Sequence, residues 1–209
     1  MVIKIADQTL KTVDKILECA KKEFLEKGFK NASLRNIAKN AGVTTGAIYG
    51  YFKDKDAIFV SLVKTTIDDL YSLINELESE HNSVKLTRDM FLSIVKDEHL
   101  KYIDYVYSNF ETCKLLLCCS SGSSMENYIG ELIEYIVKIN MPYIIYLNSK
   151  SNKIDNETNE FIIHMTIQFL FKVIIELIEN NVPYEDAIKR ANVLFTIFFA
   201  GYSEVYNLK

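Results

Sequence analysis

The chain has 209 residues, and its 49% hydrophobic and 25% charged content is that of a folded globular protein rather than a disordered one. Two prolines and seven glycines are too few for the closely spaced turns of an all-β sandwich or barrel. The net charge of −4 hides an asymmetry: residues 1–55 hold 11 Lys and Arg against 6 Asp and Glu, a net of +5, and residues 56–209 hold 13 against 22, a net of −9.

In chain order, Leu10, Val13, Ile16, Leu17, Ala20, Phe24 and Leu25 recur at three- and four-residue steps, which predicts an amphipathic helix over 9–27 with Gly28 as its C-cap. Ser33 caps a short helix over 34–41, and Gly42 ends it. Thr44 caps a third helix from Thr45 to Tyr51, and Asp54 a long fourth from Lys55 to Glu80. After the polar break His81-Asn82-Ser83, helical periodicity resumes through Phe91, Ile94, Val95, Leu100, Ile103 and Val106. An apolar run follows over Leu115–Cys119, then the breaker Ser120-Ser121-Gly122-Ser123-Ser124. Another helix starts near Met125, with Pro142 as a kink or restart, and residues 148–156 read as a polar loop. Two long helices close the chain, over 157–179 and from Tyr184 to Tyr206. The prediction is an all-α fold of about nine helices with no internal repeat.

No stretch reaches eighteen uninterrupted apolar residues. Phe161–Ile178 is broken by His164, Gln168, Lys172 and Glu176, so a membrane-spanning helix is not expected. Met1–Leu10 has neither an apolar core nor a small-residue cleavage site, which points to a cytoplasmic chain. Cys19, Cys113, Cys118 and Cys119 read as buried thiols, because no C-x-x-C spacing supports a metal or redox site. No Gly-rich phosphate loop, H-E-x-x-H or G-x-S-x-G is present, so no catalytic residue, metal or cofactor is assigned.

Residues 34–53 carry the chemistry. Ala38 is small where two helices cross, and Gly42 sits in a turn that favours positive φ. Ile37, Ala41, Val43 and Ile48 are apolar where a shared core is needed. This is the pattern of a helix-turn-helix, whose second helix enters the major groove while the first crosses the backbone. The polar residues left over suit DNA. Thr44 and Thr45 offer hydroxyls at a helix N-terminus. Gly46 allows close approach, and Ala47 can meet a thymine methyl. Tyr49 and Tyr51 offer phenolic donors to phosphate. Arg35, Lys39 and Lys55 supply positive charge, and Lys53 is either a further cation at this face or a solvated side chain. The basic head and the acidic body would then meet different partners.

Gly28-Phe29, Asn31-Ala32-Ser33, Ile37-Ala38, Ala41-Gly42-Val43, Thr45-Gly46-Ala47-Ile48-Tyr49 and Tyr51-Phe52-Lys53-Asp54-Lys55 together resemble the signature of TetR-family transcriptional regulators. The resemblance covers about residues 10–60. At position 51 the family often carries His where this chain has Tyr51. It implies an N-terminal three-helix DNA-binding domain over 1–54 and a helical ligand-binding and dimerisation domain over 55–209. It also implies a homodimer on a palindromic double-stranded operator, and a repressor released by a small-molecule effector. An α-helical small-molecule-binding protein or enzyme with an accessory helix-turn-helix is the alternative.

The body offers further candidates. The 157–179 helix is apolar almost all round and must be buried on more than one side. The last helix places Ile188, Ala191, Phe195, Phe198, Tyr202 and Val205 at coiled-coil-like steps, and with Phe161 and Phe169 these form the predicted dimer interface. The middle helices are rich in aromatic residues, which suits an apolar or aromatic effector. His99, Tyr102, Tyr128, His164 and Gln168 are the candidate ligand contacts.

Overall fold

The computed structural model describes residues 2–81, 88–149 and 154–205. The break at Asn82 and Ser83, much of the polar loop after Asn148, and the side chains of Tyr143, Tyr146 and Tyr202 lie outside the described residues. Among the described residues there are nine helices and no strand, the all-α architecture expected. They are α1 (Val2–Asn31), α2 (Leu34–Ala41), α3 (Thr45–Tyr49), α4 (Lys55–His81), α5 (Arg88–Ser108), α6 (Phe110–Cys118), α7 (Tyr128–Ser149), α8 (Asn156–Glu179) and α9 (Tyr184–Val205).

Local chemistry sets most of these bounds. The regular part of α1 stops at Gly28, whose φ of 69° and ψ of 161° only glycine adopts readily. One further turn follows before α2. Asp155 caps α8, its carboxylate accepting from the Thr158 N–H at 2.8 Å and from the Thr158 hydroxyl at 2.9 Å. Helix α7 runs through Pro142 without a restart. The missing N–H would have bonded the Lys138 carbonyl. Both residues are exposed, so water can replace that bond.

The chain packs as two compact units, Met1–Asp69 with Glu111–Tyr128, and Leu70–Phe110 with Ile129–Lys209. The first unit therefore holds half of α4 and the α6 segment with its following turn, which the sequence division at 54/55 gives to the body. Its core joins Ile16, Ala20 and Phe24 of α1 to Ile37, Ala38 and Ala41 of α2, with Ile48, Ile58, Phe59 and Val63. Three rings meet at its centre: Phe24 stacks on Phe29 at 5.7 Å, and Phe59 stands edge-on to both at 5.3 and 5.4 Å. Each buried phenylalanine is worth about 1.5–3 kcal/mol of burial, so this cluster is a main anchor of the unit.

The second unit is built on Ile103, Ile133, Val137, Ile163, Ile167 and the α9 residues Ala191, Phe195 and Phe199. A smaller cluster joins Val173, Leu177, Val182 and Ala187, and beside it the Tyr107 hydroxyl donates to the Val182 carbonyl at 2.7 Å. Helix α8 is long and apolar enough to cross a membrane by length and composition, which its polar interruptions had argued against. It also does what a core helix must: it buries Ile163, Ile167, Val173, Leu177 and Ile178 and leaves Phe161 and Met165 exposed.

This packing corrects the predicted dimer seam. Ala191 and Phe195 are 0% and 1% exposed, buried in the core of their own chain. Ile188 and Phe198 pack against the same core, and Phe169 stacks on Phe198 at 5.3 Å. Among the described residues of the predicted set, only Phe161 and Val205 are largely exposed. The exposed apolar side chains of α8 and α9 instead include Phe161, Met165, Val193, Leu194, Ile197 and Val205. Helix α9 is apolar on two sides, and a three-four repeat does not say which side stays inside the chain.

The cysteines are free thiols. Burial pushes Cys113 up to about 12 and raises Cys119 as well, so neither is a thiolate at neutral pH. Among the described residues no group of three or more His, Cys, Asp or Glu is placed to hold a metal ion.

Candidate nucleic-acid interface

The helix-turn-helix is capped at each end. The Ser33 hydroxyl accepts from the Asn36 N–H at 3.5 Å. Gly42 closes α2 in the left-handed region, φ 71° and ψ 29°, and the Val43 N–H reaches back to the Ala38 carbonyl at 3.0 Å. These are the bonds of a glycine-terminated helix end. The Thr44 hydroxyl then accepts from the Ala47 N–H at 3.1 Å and starts α3, which that acceptor bond leaves with its own proton uncommitted. Ile48 is 1% exposed and pins α3 to the core. Tyr51 and Phe52 continue the turn through bonds to the Ile48 carbonyl.

Once these anchors are removed, an exposed surface remains. Arg35, Thr44, Gly46, Tyr49 and Tyr51 are exposed, and Thr45 and Ala47 are half-buried. Tyr49 is 56% exposed and Tyr51 41%, whereas their neighbour Phe52 is buried. Aromatic rings held out in water beside a buried one are set by the α3 register, because the anchoring Ile48 fixes which residues face outward. Among the described residues Arg35, Lys39 and Lys53 are exposed and make no ion pair. By contrast Lys21 pairs with Glu111 at 2.5 Å and Lys22 with Glu18 at 2.8 Å.

Lys55 departs from the expected phosphate contact. Its ammonium donates to the carbonyls of Phe29 at 2.6 Å, Ala32 at 3.1 Å and Lys30 at 3.4 Å. It also lies 4.4 Å from the centre of the Phe29 ring. Two further groups went unread in the sequence. Glu23, buried in α1, accepts from the Ser33 N–H at 3.0 Å and from Asn36 Nδ2 at 3.2 Å. Asp56 in the first turn of α4 accepts from the Ser124 N–H and hydroxyl at 2.8 and 2.7 Å. Neither lies in a motif. Glu23 interrupts an apolar stripe, and Ser124 sits in a run that reads only as a breaker.

The fold of this region agrees with the comparisons. Residues 16–62 match the family model of the bacterial regulatory proteins, tetR family. In its DNA-binding region this chain is similar to that family. It is 28% identical over 136 residues to the uncharacterised HTH-type transcriptional regulator YuxN of Bacillus subtilis, covering 61% of this chain and 47% of that one. It is 32% identical over 130 residues to the probable HTH-type transcriptional regulator YttP of the same organism, covering 58% and 62%. The chain thus spans about half the length of the curated relatives it matches. These relatives are transcriptional regulators, not enzymes. In fold, it resembles the FadR transcriptional regulator of Bacillus subtilis, solved in complex with stearoyl-CoA. The TM-score is 0.55 at 21% identity, over 88% of this chain and 95% of that one.

The five candidate ligand contacts are divided between the two units. Tyr128 is buried in the first unit, while the other four belong to the second. There they form two pairs. His99 is buried, its ring 4.7 Å from Phe195, 5.2 Å from Phe199 and 6.5 Å from Tyr102. His164 lies 2.9 Å from Gln168 Nε2 and 3.4 Å from Glu134 Oε1. With the amide donating to Nε2, the ring proton sits on Nδ1 and faces the carboxylate. Gln168 is exposed, so this pair belongs to the outer side of α8.

Proposed function

We propose that this protein is a cytoplasmic, ligand-responsive transcriptional repressor that binds a palindromic operator as a homodimer. The observation that carries the reading is the division of labour in the helix-turn-helix. Ile37, Ala41, Ile48 and Phe52 fill the core, while Tyr49, Tyr51, Arg35, Thr44 and Gly46 are left on the outer face. Tyr49, Tyr51 and the Thr44 hydroxyl position the head on phosphates, with Arg35 supplying charge. Thr45, Gly46 and Ala47 lie closest to the bases.

One short recognition helix binds weakly, and a two-fold dimer reading two half-sites supplies the missing affinity. The exposed apolar side chains of α8 and α9 suit this dimer. Large apolar side chains left exposed on two helices, Phe161 and Met165 of α8 and Val193, Leu194 and Ile197 of α9, are of the kind that marks a protein interface. The effector is a small apolar or aromatic molecule bound in the second unit. FadR, a fold relative with bound stearoyl-CoA, makes acyl compounds the first class to try. Helix α4 contributes residues to both compact units, so it is one covalent route by which an effector alters the head. Release follows only if the effector binds the released form more tightly.

The test is a salt-dependent gel shift on the DNA upstream of the protein's own gene, with Tyr49→Ala as the control. A sequence-selective shift lost in Tyr49→Ala is the expected result. No selective shift, or one unaffected by the substitution, rejects the reading.

A further inference from the structure

We infer that Lys55 is a positioning residue that locks the end of α1, and through it the start of α2, and is not a contact to the DNA backbone. The inference builds on the DNA-binding reading above, but its structural part is testable without DNA.

A lysine ammonium has three N–H donors and no acceptor. Here three carbonyls converge on it, those of Phe29, Lys30 and Ala32, and the Phe29 ring closes one side. A phosphate oxygen would have to displace one of them and leave it unpaired beside the buried Ala32. The charge is also on the right helix end. In the first turn of α4 a cation opposes the dipole of its own helix, whereas at the C-terminus of α1 it complements the dipole. Burial lowers the Lys55 pKa, in keeping with an ammonium drawn into the protein.

The locked corner is the hinge between the two helices. Ala32 immediately precedes Ser33, the cap of α2. Glu23 holds the Ser33 N–H, so the two charged side chains grip the successive residues Ala32 and Ser33. The Phe29 N–H goes to the Cys119 carbonyl at 2.8 Å. A Cβ at Gly122 would stand 3.5 Å from the Lys30 stem, so the turn after α6 lies directly against the same corner. Lys55 thereby fixes where α2, and the Arg35 it carries, stand relative to α1.

The experiment uses the full chain with Lys55→Met, Lys55→Arg and Arg35→Ala. Binding to a 40-base-pair mixed-sequence duplex is titrated over a series of KCl concentrations, alongside thermal unfolding and hydrogen exchange across residues 24–36. A phosphate contact contributes about one unit to the slope of log K against log salt. Arg35→Ala is expected to lose that unit at an unchanged Tm. Lys55→Met is expected to keep the wild-type slope, lose roughly 5 °C in Tm and exchange faster over 24–36. Lys55→Arg keeps the charge, but a planar fork cannot satisfy three carbonyls that converge on one atom. It should behave like Lys55→Met, and it carries the test if Lys55→Met fails to fold. The inference is overturned if Lys55→Met loses one unit of slope at unchanged Tm and exchange while Lys55→Arg restores wild-type binding. If the wild-type chain shows no salt-dependent binding, the DNA-binding reading fails. The Tm and exchange of the two Lys55 variants still decide whether the corner is locked.

Discussion

Gly42 and Gly46 are four residues apart and do different work. Gly42 has a φ of 71°, a conformation that costs an L-residue roughly 1–2 kcal/mol. Gly42→Ala is therefore expected to lower Tm by several degrees, read by thermal unfolding. At Gly46 an added methyl would meet only Thr44 Oγ1, at an ordinary 3.8 Å. Nothing inside the chain requires that glycine, and alanine favours a helix by about 0.5–1 kcal/mol. Gly46→Ala should hold or raise Tm while weakening duplex binding in a gel shift. Undiminished binding would remove Gly46 from the interface. Tyr49→Phe deletes one hydroxyl from a 56% exposed ring and should weaken binding about two- to tenfold, the size of one hydrogen bond, with no change in Tm. The kind of group these residues offer was legible in the sequence, because glycine, threonine and tyrosine each present one. The destination of Lys55 was not. A lysine stem of four carbons reaches carbonyls or phosphates equally well, and only the folded corner shows which are near.

At the scale of elements, α2 and α3 were readable to within a residue or two because each has a side-chain cap and a glycine stop. Helix α9 shows the opposite. Its spacing gives two apolar faces, and both fit a seam, so the sequence alone chose the inner one. The two faces predict different failures. Phe195→Ala empties the core and should destabilise the chain by about 3–5 kcal/mol, seen in denaturant unfolding. Ile197→Glu, at a 67% exposed site, should leave the monomer folded and shift the sedimentation velocity from dimer to monomer. A dimer unchanged by Ile197→Glu would place the interface elsewhere. The start of α8 carries a pH dependence. Hydrogen bonds from Thr158 hold the Asp155 carboxyl below its ordinary value of 3.8. Its capping contribution is complete above that ordinary value and is lost as pH falls through the lowered one. Hydrogen-exchange protection at Thr158 should decline there in the wild type and be independent of pH in Asp155→Asn.

For the whole molecule, the charge asymmetry becomes specific. Part of the positive excess of residues 1–55 is neutralised or engaged inside the head, by the pairs of Lys21 and Lys22 and by the carbonyls around Lys55. Arg35, Lys39 and Lys53 remain for an external anion. The all-α class, the helix order and the DNA-binding region were legible, since they rest on periodicity and caps. The unit boundary was not, because it depends on the Phe29–Cys119 and Asp56–Ser124 bonds between residues 68 or more apart in sequence. That boundary bears on engineering. Sensor chimaeras are assembled by grafting one regulator's reading head onto another's sensing body, and the natural splice point is a linear one near residue 55. Here the head is not a contiguous module. A graft that carries only residues 1–54 would leave the Phe29 N–H and the α1 corner without their native supports. A transplantable head has to be cut as two pieces, 1–69 with 111–128, and joined to the host body at three points.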